Sequence, residues 1–202
     1  MNKKGLLFII SGPAGSGKGT IVSRVRELAQ FDFSVSATTR KPRPNEENGI
    51  HYYFIDKAEF EHKIENGEML EYAQYVGNYY GTPKKPVEDA LAAGRNIILD
   101  IEVKGALQVK EKMPEAVMIF IMPPNYETLL SRIRGRGTET EEVIQERMKQ
   151  SHFEIDHFGN YDYVVVNETN GIEKAAEDIL SIMRVENLRT LRNGELAEKF
   201  YK

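Results

Sequence analysis

Residues 6–20 read Leu6-Leu7-Phe8-Ile9-Ile10-Ser11-Gly12-Pro13-Ala14-Gly15-Ser16-Gly17-Lys18-Gly19-Thr20. The apolar run at the start predicts a buried strand. A glycine-rich segment with the spacing G-x-x-x-x-G-K follows, and a helical pattern opens at Ile21. Glycines let the backbone curl until successive N–H groups converge on a phosphate, and the helix N-terminus adds its positive dipole end. Lys18 stands where an ammonium reaches the β- and γ-phosphates of a nucleotide. A plain glycine turn explains neither the lysine nor the flanking strand and helix. One position departs from the pattern. Gly19 stands where a Ser or Thr hydroxyl commonly meets Mg²⁺, and Thr20 comes next. A metal held mainly by phosphates and water accommodates that change.

Outward from this motif, apolar runs at 96–101, 117–122 and 163–167 read as further buried parallel strands, and residues 33–37 alternate as a fifth. Helical patterns at 21–30, 86–93, 103–113, 126–134 and 172–191 separate them. Strand–helix alternation of this kind predicts an α/β fold with a doubly wound parallel sheet. Ligands of such sheets bind at the carboxyl ends of the strands, an edge that gathers the phosphate loop, Asp100 and Asn167.

Two stretches break the alternation. Residues 38–86 hold short strand-like pieces at 51–55 and 69–76 and a helix with Asp56 as N-cap and Glu59 reaching back. This predicts an inserted mixed α/β subdomain. Residues 125–155 hold Arg132, Arg134, Gly135, Arg136 and Gly137, then the capping pattern Thr138-Glu139-Thr140-Glu141 and a helix carrying Arg147. Glycines beside a basic cluster predict a helical lid that brings positive charge onto phosphates. The expected organisation is a core of 1–37, 86–124 and 156–202, a subdomain of 38–85 and a lid of 125–155.

The chain of 202 residues is 41% apolar, enough for one compact core with inserted subdomains. Lys and Arg number 27 against 31 Asp and Glu, a net charge of −4, which argues against a protein that coats nucleic acid. The absence of cysteine excludes disulfides, thiolate metal sites and a Cys nucleophile, and fits a reducing cytoplasm. The first apolar run ends at Ser11 and enters the loop, so it reads as a strand and not as a secretory signal. No run approaches the ~18 apolar residues of a membrane span. The 4 histidines show no metal-ligand spacing, and no side-chain metal site is expected. Leu188 and Leu191 extend the apolar stripe of the last helix, by core packing or as a surface for a homo-oligomer.

A phosphate loop invites phosphoryl transfer, which needs aligned phosphates, charge neutralisation and exclusion of water. Arg40 and Arg43 frame Lys41-Pro42, and a guanidinium grips phosphate bidentately. Tyr52 and Tyr80 are available to donate hydroxyls to the same group. On residue types alone, these arginines read equally as solvated charges of a proline-containing loop, and Glu71 as a solvent-facing charge along a strand.

The order of motifs decides further. Gly-Pro-x-Gly-x-Gly-Lys is followed by Ser34-Val35-Ser36-Ala37-Thr38-Thr39-Arg40-Lys41-Pro42-Arg43, Asn48-Gly49-x-x-Tyr52 and Gly77-Asn78-Tyr79-Tyr80-Gly81-Thr82. Leu99-Asp100-Ile101-Glu102 and Arg134-Gly135-Arg136-Gly137-Thr138-Glu139 complete the series. Over residues 6–167 this closely resembles guanylate kinase. The resemblance implies a phosphate-loop core, a GMP-binding subdomain and a lid, with the γ-phosphoryl of ATP passing to GMP, and to dGMP, in the presence of Mg²⁺. It implies that Gly12, Pro13, Ala14, Gly15, Ser16, Gly17, Lys18, Gly19 and Thr20 cradle ATP, with Arg132 close by and Asn167 near the adenine. It assigns Ser36, Glu71 and Thr82 to guanine, and Arg40, Arg43, Tyr52 and Tyr80 to the GMP phosphate. Asp100 falls beside GMP and the metal's water shell. Lys18, Arg40, Arg136 and Arg147 carry the catalytic charge. Guanine offers two adjacent donors and one acceptor, so a carboxylate and a hydroxyl are suitable readers. Gly19 matches the Gly-Lys-Gly-Thr of other nucleoside monophosphate kinases, so the departure bears on the metal contact and not on the activity. The runner-up is a non-catalytic guanylate-kinase-like module that binds phosphopeptides. Such modules typically lack an intact phosphate loop.

Overall fold

In a computed structural model, residues 4–29, 31–135 and 140–200 are described. The strands are β1 Leu7–Ser11, β2 Asp32–Phe33, β3 Ala37–Thr38, β4 Tyr53–Phe54, β5 Met69–Tyr75, β6 Asn78–Pro83, β7 Ile97–Asp100, β8 Val117–Met122 and β9 Tyr163–Val166. The helices are α1 Lys18–Leu28, α2 Lys57–Glu65, α3 Lys84–Ala92, α4 Val103–Lys112, α5 Tyr126–Arg134, α6 Glu141–Asp156, α7 Ile172–Glu186 and α8 Glu195–Phe200.

The first apolar run is continuous because both faces of β1 are covered. Phe8 and Ile10 pack against Ile21, Val22 and Val25 of α1 and Ala175, Ala176, Ile179 and Met183 of α7. Leu7 and Ile9 point the other way, onto Val87, Ala90 and Leu91 of α3 and Ala106 and Val109 of α4. The two-residue period of the strand thus feeds two cores, one on each face of the sheet. That sheet has the order β2-β7-β1-β8-β9 and is parallel throughout. This is the doubly wound α/β fold the alternation predicts.

A second sheet, β4-β3-β6-β5, occupies residues within 37–83 and mixes parallel and antiparallel pairing. It has its own small core, Ala37, Phe60 and Met69, with Phe60 stacked on Tyr79 at 5.1 Å between ring centroids. The Asp56 side chain caps α2 by accepting from the Glu59 amide at 2.8 Å. Helix α4 fastens this sheet to the first. Lys112 donates to the carbonyls of Met69 (3.0 Å) and Leu70 (2.7 Å), and Gln108 exchanges two hydrogen bonds with the Tyr72 backbone, each 3.2 Å.

Two expectations need correction. The alternating segment 33–37 is not one strand. Asp32–Phe33 pairs with β7 in the first sheet, and Ala37–Thr38 pairs with β4 and β6 in the second. The chain crosses between sheets at Ser34 to Ser36, so one alternating pattern serves two registers. Nor does the last long helix reach residue 191. It stops at Glu186, which is fully buried and accepts from the Tyr163 hydroxyl and from Arg192 at 2.8 Å. That anchor turns the chain, and Leu188 and Leu191 are left 72% and 86% exposed.

Phe60→Ala tests whether the second sheet depends on its own core. Emptying that fully buried site is expected to cost about 3–5 kcal/mol in urea unfolding. A loss below about 1 kcal/mol would show that docking on α4 alone carries the sheet.

Candidate active site

The glycine-rich loop is shaped by conformation and by close approach. Gly15 and Gly17 sit at φ +88° and +87°, where side chains are strained. A Cβ on Gly17 would also lie 2.2 Å from Asn167 Nδ2. That nitrogen donates to the Ser16 carbonyl at 2.7 Å, and Asn167 Oδ1 is buried with no partner among the described residues. Arg132 on α5 donates to the carbonyls of Ser16 (3.4 Å), Asn167 (3.0 Å) and Glu168 (3.4 Å). The loop is therefore pinned from behind by β9 and α5. Arg132, expected at the nucleotide, directs its donors to backbone.

Parallel pairing of β1 with β7 sets Ile10 opposite Asp100. Lys18 opens α1 one loop later, and its ammonium pairs with the Asp100 carboxylate. Gly19 faces open space, since a Cβ there meets nothing within 4 Å, and Thr20 is exposed.

A second cluster sits on the smaller sheet. Glu46 accepts from Arg40 through both oxygens, at 2.9 Å each, and from the Arg43 amide at 2.7 Å. The Arg40 guanidinium holds the Glu46 carboxyl down to about 2. This pair contributes stability above the ordinary carboxylate pKa and loses it as pH falls toward about 2. Arg40 also lies 5.5 Å from the Tyr52 ring centroid and feels the Tyr80 hydroxyl. The Tyr52 and Tyr80 rings meet edge-on at 6.2 Å. Burial raises the Tyr52 pKa, partly offset by Arg40, and the charge of Asp100 reaches it from the other sheet. Arg43 is exposed beside them.

The third cluster is the most enclosed. Glu71 is 6% exposed on β5, and its Oε1 accepts from Thr82 Oγ1 on β6 at 2.7 Å. Oε2 fits against α4 because residue 105 is glycine: a Cβ there would stand 2.7 Å away. Burial raises the Glu71 pKa, opposed by the Thr82 hydrogen bond, and Glu102 raises it further. The folded chain therefore holds this proton more tightly than the unfolded one. The stability it contributes is complete below the ordinary carboxylate pKa and is lost as pH rises through the raised value. Ser36 is half-buried, with its carbonyl accepting the Tyr53 amide at 2.8 Å.

On the remaining side, α5 and α6 pack through Leu129, Ile133, Ile144 and Met148. Arg147 is half-buried on α6, and Arg134 pairs with Glu141 at 2.7 Å. Arg136 lies outside the described residues, as do Thr138 and Glu139 of the expected cap, and α6 begins after Thr140. Sequence reading missed Glu46 and Gly105, and gave no role to Glu102 although it stands in the quoted stretch Leu99-Asp100-Ile101-Glu102. Only the Glu46 spacing, three residues after Arg43, carried a signal, and Glu47 carried it almost equally.

Gly105→Ala is expected to force the Glu71 carboxyl out of its slot. The change should cost about 1–3 kcal/mol in thermal unfolding and lower the Glu71 pKa followed by carboxyl NMR. An unchanged melting temperature and titration would show that the side chain swings aside freely.

The guanylate kinase family model matches residues 4–186. The guanylate kinase of Listeria innocua is 50% identical over 194 residues, covering 95% of this chain and 94% of that one. The guanylate kinase of Desulfitobacterium hafniense is 49% identical over 189 residues, covering 93% of this chain and 94% of its own. The crystal structure of guanylate kinase from Anaplasma phagocytophilum matches with a TM-score of 0.75 at 37% identity, covering 94% of this chain and 90% of that one. With the match running from the phosphate loop through both sheets to the end of α7, this chain belongs to the guanylate kinase family and is an ATP:GMP phosphotransferase.

Proposed function

We propose that the three clusters divide the reaction between them. The observation that carries this reading is the buried Glu71–Thr82 pair, a desolvated carboxyl beside a hydroxyl at the rim of the second sheet. Glu71 in its ionised form accepts from N1–H and N2–H₂ of guanine, and Thr82 and Ser36 serve the base beside it. Arg40, Arg43, Tyr52 and Tyr80 bind the GMP phosphate, with Glu46 holding the Arg40 fork before substrate arrives. The loop at 12–20 cradles ATP, and Asn167 lies near its adenine. Lys18 exchanges Asp100 for the β- and γ-phosphates. An oxygen of the GMP phosphate then forms a bond to Pγ as the bond from Pγ to the β,γ-bridging oxygen breaks, leaving ADP and GDP. The GMP oxygen is already anionic, so the step needs no general base. Lys18, Arg40, Arg136 and Arg147 neutralise the charge in transit. Residues 38–85 act as the GMP-binding subdomain and 125–155 as the lid.

Mg²⁺, when bound, neutralises the β- and γ-phosphate charge and orients the transfer. The residues fit a cation held mostly by phosphate and water. Space is open at Gly19, Thr20 is exposed, and no group of three or more potential ligands occurs among the described residues. Asp100 and Thr20 are the side chains that would reach it or its waters. No role assigned here needs the ribose 2′-hydroxyl, so dGMP should serve as acceptor. No described helix is long and apolar enough to cross a membrane. A cytoplasmic enzyme is the reading that fits the lack of cysteine. Self-association would use the exposed Leu188 and Leu191. The non-catalytic module has no support, since Lys18 and the loop glycines are intact.

ADP formation from Mg-ATP with GMP, dGMP, AMP, CMP, UMP and dTMP tests the assignment. Turnover is expected with GMP and dGMP alone. Lys18→Ala should lower kcat at least about a hundredfold. Glu71→Gln should raise KM for GMP about tenfold or more with little effect on KM for ATP. Equal turnover of AMP and GMP would overturn the guanine assignment.

A further inference from the structure

Two hydroxyls that the proposed mechanism leaves idle meet at the backbone of Tyr79, where the chain leaves β3. That strand pairs antiparallel with β6, setting Ala37 opposite Gly81 and Thr38 opposite Tyr80. Past Thr38 the ladder gives way to side chains. The Thr39 amide donates to the Tyr79 carbonyl at 3.1 Å, but the Tyr79 amide donates to Thr39 Oγ1 at 2.9 Å. Thr38 Oγ1 donates to the same Tyr79 carbonyl at 2.8 Å and accepts from the Arg40 amide at 3.2 Å. A hydroxyl has one proton to give and lone pairs to accept, so Thr38 serves both neighbours at once.

Thr38 is fully buried, and its two partners depend on it unequally. The Tyr79 carbonyl has a second donor in the Thr39 amide. The Tyr79 ring stacks on Phe60 at 5.1 Å, and its hydroxyl donates to Glu61 at 3.3 Å. The Arg40 amide has no acceptor besides Thr38 among the described residues. Tyr79 is therefore the fixed side of the bridge and Arg40 the dependent side. Glu46 ties Arg40 to the Arg43 amide, a link within the loop, whereas the Thr38 hydroxyl ties that loop to β6. Arg40 and Tyr80, the residue after Tyr79, are two of the four groups given above to the GMP phosphate. All of these residues belong to the second sheet and its loop, so movement of that sheet against the first does not strain the bridge.

We infer that Thr38 is a positioning residue for the acceptor phosphate: its buried hydroxyl bridges the Arg40 amide and the Tyr79 carbonyl, and so sets the Arg40 guanidinium against the Tyr80 hydroxyl. The inference rests on reading Arg40 and Tyr80 as ligands of the GMP phosphate. Thr38 touches no substrate, and its effect falls on the phosphate and not on the base. Small displacements of a positioned group weaken its grip steeply.

Two variants and two ligands separate this from a role in folding alone. Thr38→Val keeps the branched shape and removes the hydroxyl, whereas Thr38→Ser keeps the hydroxyl and removes the methyl. Calorimetry compares GMP with guanosine, which lacks the phosphate. Thr38→Val should weaken GMP about tenfold while guanosine stays within about twofold. Thr38→Ser should bind GMP within about threefold of the original, although the lost methyl lowers its melting temperature. Original GMP affinity in a folded Thr38→Val, or equal losses of GMP and guanosine, overturns the inference. Arg40→Ala is the control. If it binds GMP as the original does, the reading of the phosphate site falls and the inference with it. If it loses GMP while Thr38→Val does not, the inference alone falls. Should Thr38→Val not fold, amide exchange in the unmodified enzyme decides. The Arg40 amide must then be more protected than that of Lys41, which has no acceptor among the described residues. Equal protection overturns the inference.

Discussion

Glu71 is an ionisable side chain taken almost wholly out of water, and the placement of several elements follows from it. An unpaired carboxylate in such a site is expensive, so its surroundings must supply donors, space or a proton. Thr82 supplies one donor across the β5–β6 pair. Gly105 supplies space on α4. Burial supplies the rest by raising the pKa, so the folded chain holds this proton more readily than a free glutamate does. Guanine would reverse that balance, because two ring donors stabilise the ionised form. An adenine would present an acceptor, N1, where the ionised carboxylate has no donor to give, and the unmet polar groups penalise it.

That slot exists only because two sheets meet at α4. The helix buries Ala106 and Val109 under the first sheet while Lys112 and Gln108 grip the backbone of β5 in the second. The same helix follows β7, whose last residue, Asp100, holds the ammonium of Lys18. The carboxyl end of the parallel sheet and the Glu71 slot proposed for the base are thus two ends of one short connection. Tyr52 of the second sheet's region feels both Arg40 and Asp100. Phosphoryl transfer asks for donor and acceptor phosphates in line with water excluded, and α4 joins the two sheets that carry the proposed anchoring points.

The parts most legible in the sequence were those whose chemistry is local. The phosphate loop declares itself because its glycines, lysine and flanking strand are consecutive, and strands β1, β7 and β8 because two covered faces leave few polar positions. Asp56 announced α2 for the same reason. The apolar run at 163–167 reads as buried too, yet β9 is an edge strand that leaves Val164 and Val166 exposed. The parts that were not legible depend on distant neighbours. Nothing near Glu71 in sequence says that α4 will cover it, so its role came only through the resemblance. Gly105 looked like an ordinary helical glycine, and Glu46 could not be told from Glu47. The segment 33–37 alternated as one strand because each sheet separately demands alternation. Helix α7 overran in the reading because the pattern continues through Leu188 and Leu191, whereas the buried Glu186 and its partners Tyr163 and Arg192 end it.

The most direct measurement of the central claim is the pH dependence of GMP affinity, by calorimetry from pH 4 to 8, on the unmodified enzyme and on Glu71→Gln. The phosphate of GMP itself titrates near pH ~6 and contributes equally to both proteins. If Glu71 must be ionised to read guanine, the unmodified enzyme should lose additional affinity as pH falls through the raised Glu71 pKa, and Glu71→Gln should show only the phosphate's part. Parallel profiles for the two proteins would contradict the account, because the buried carboxyl would then have no share in recognising the base.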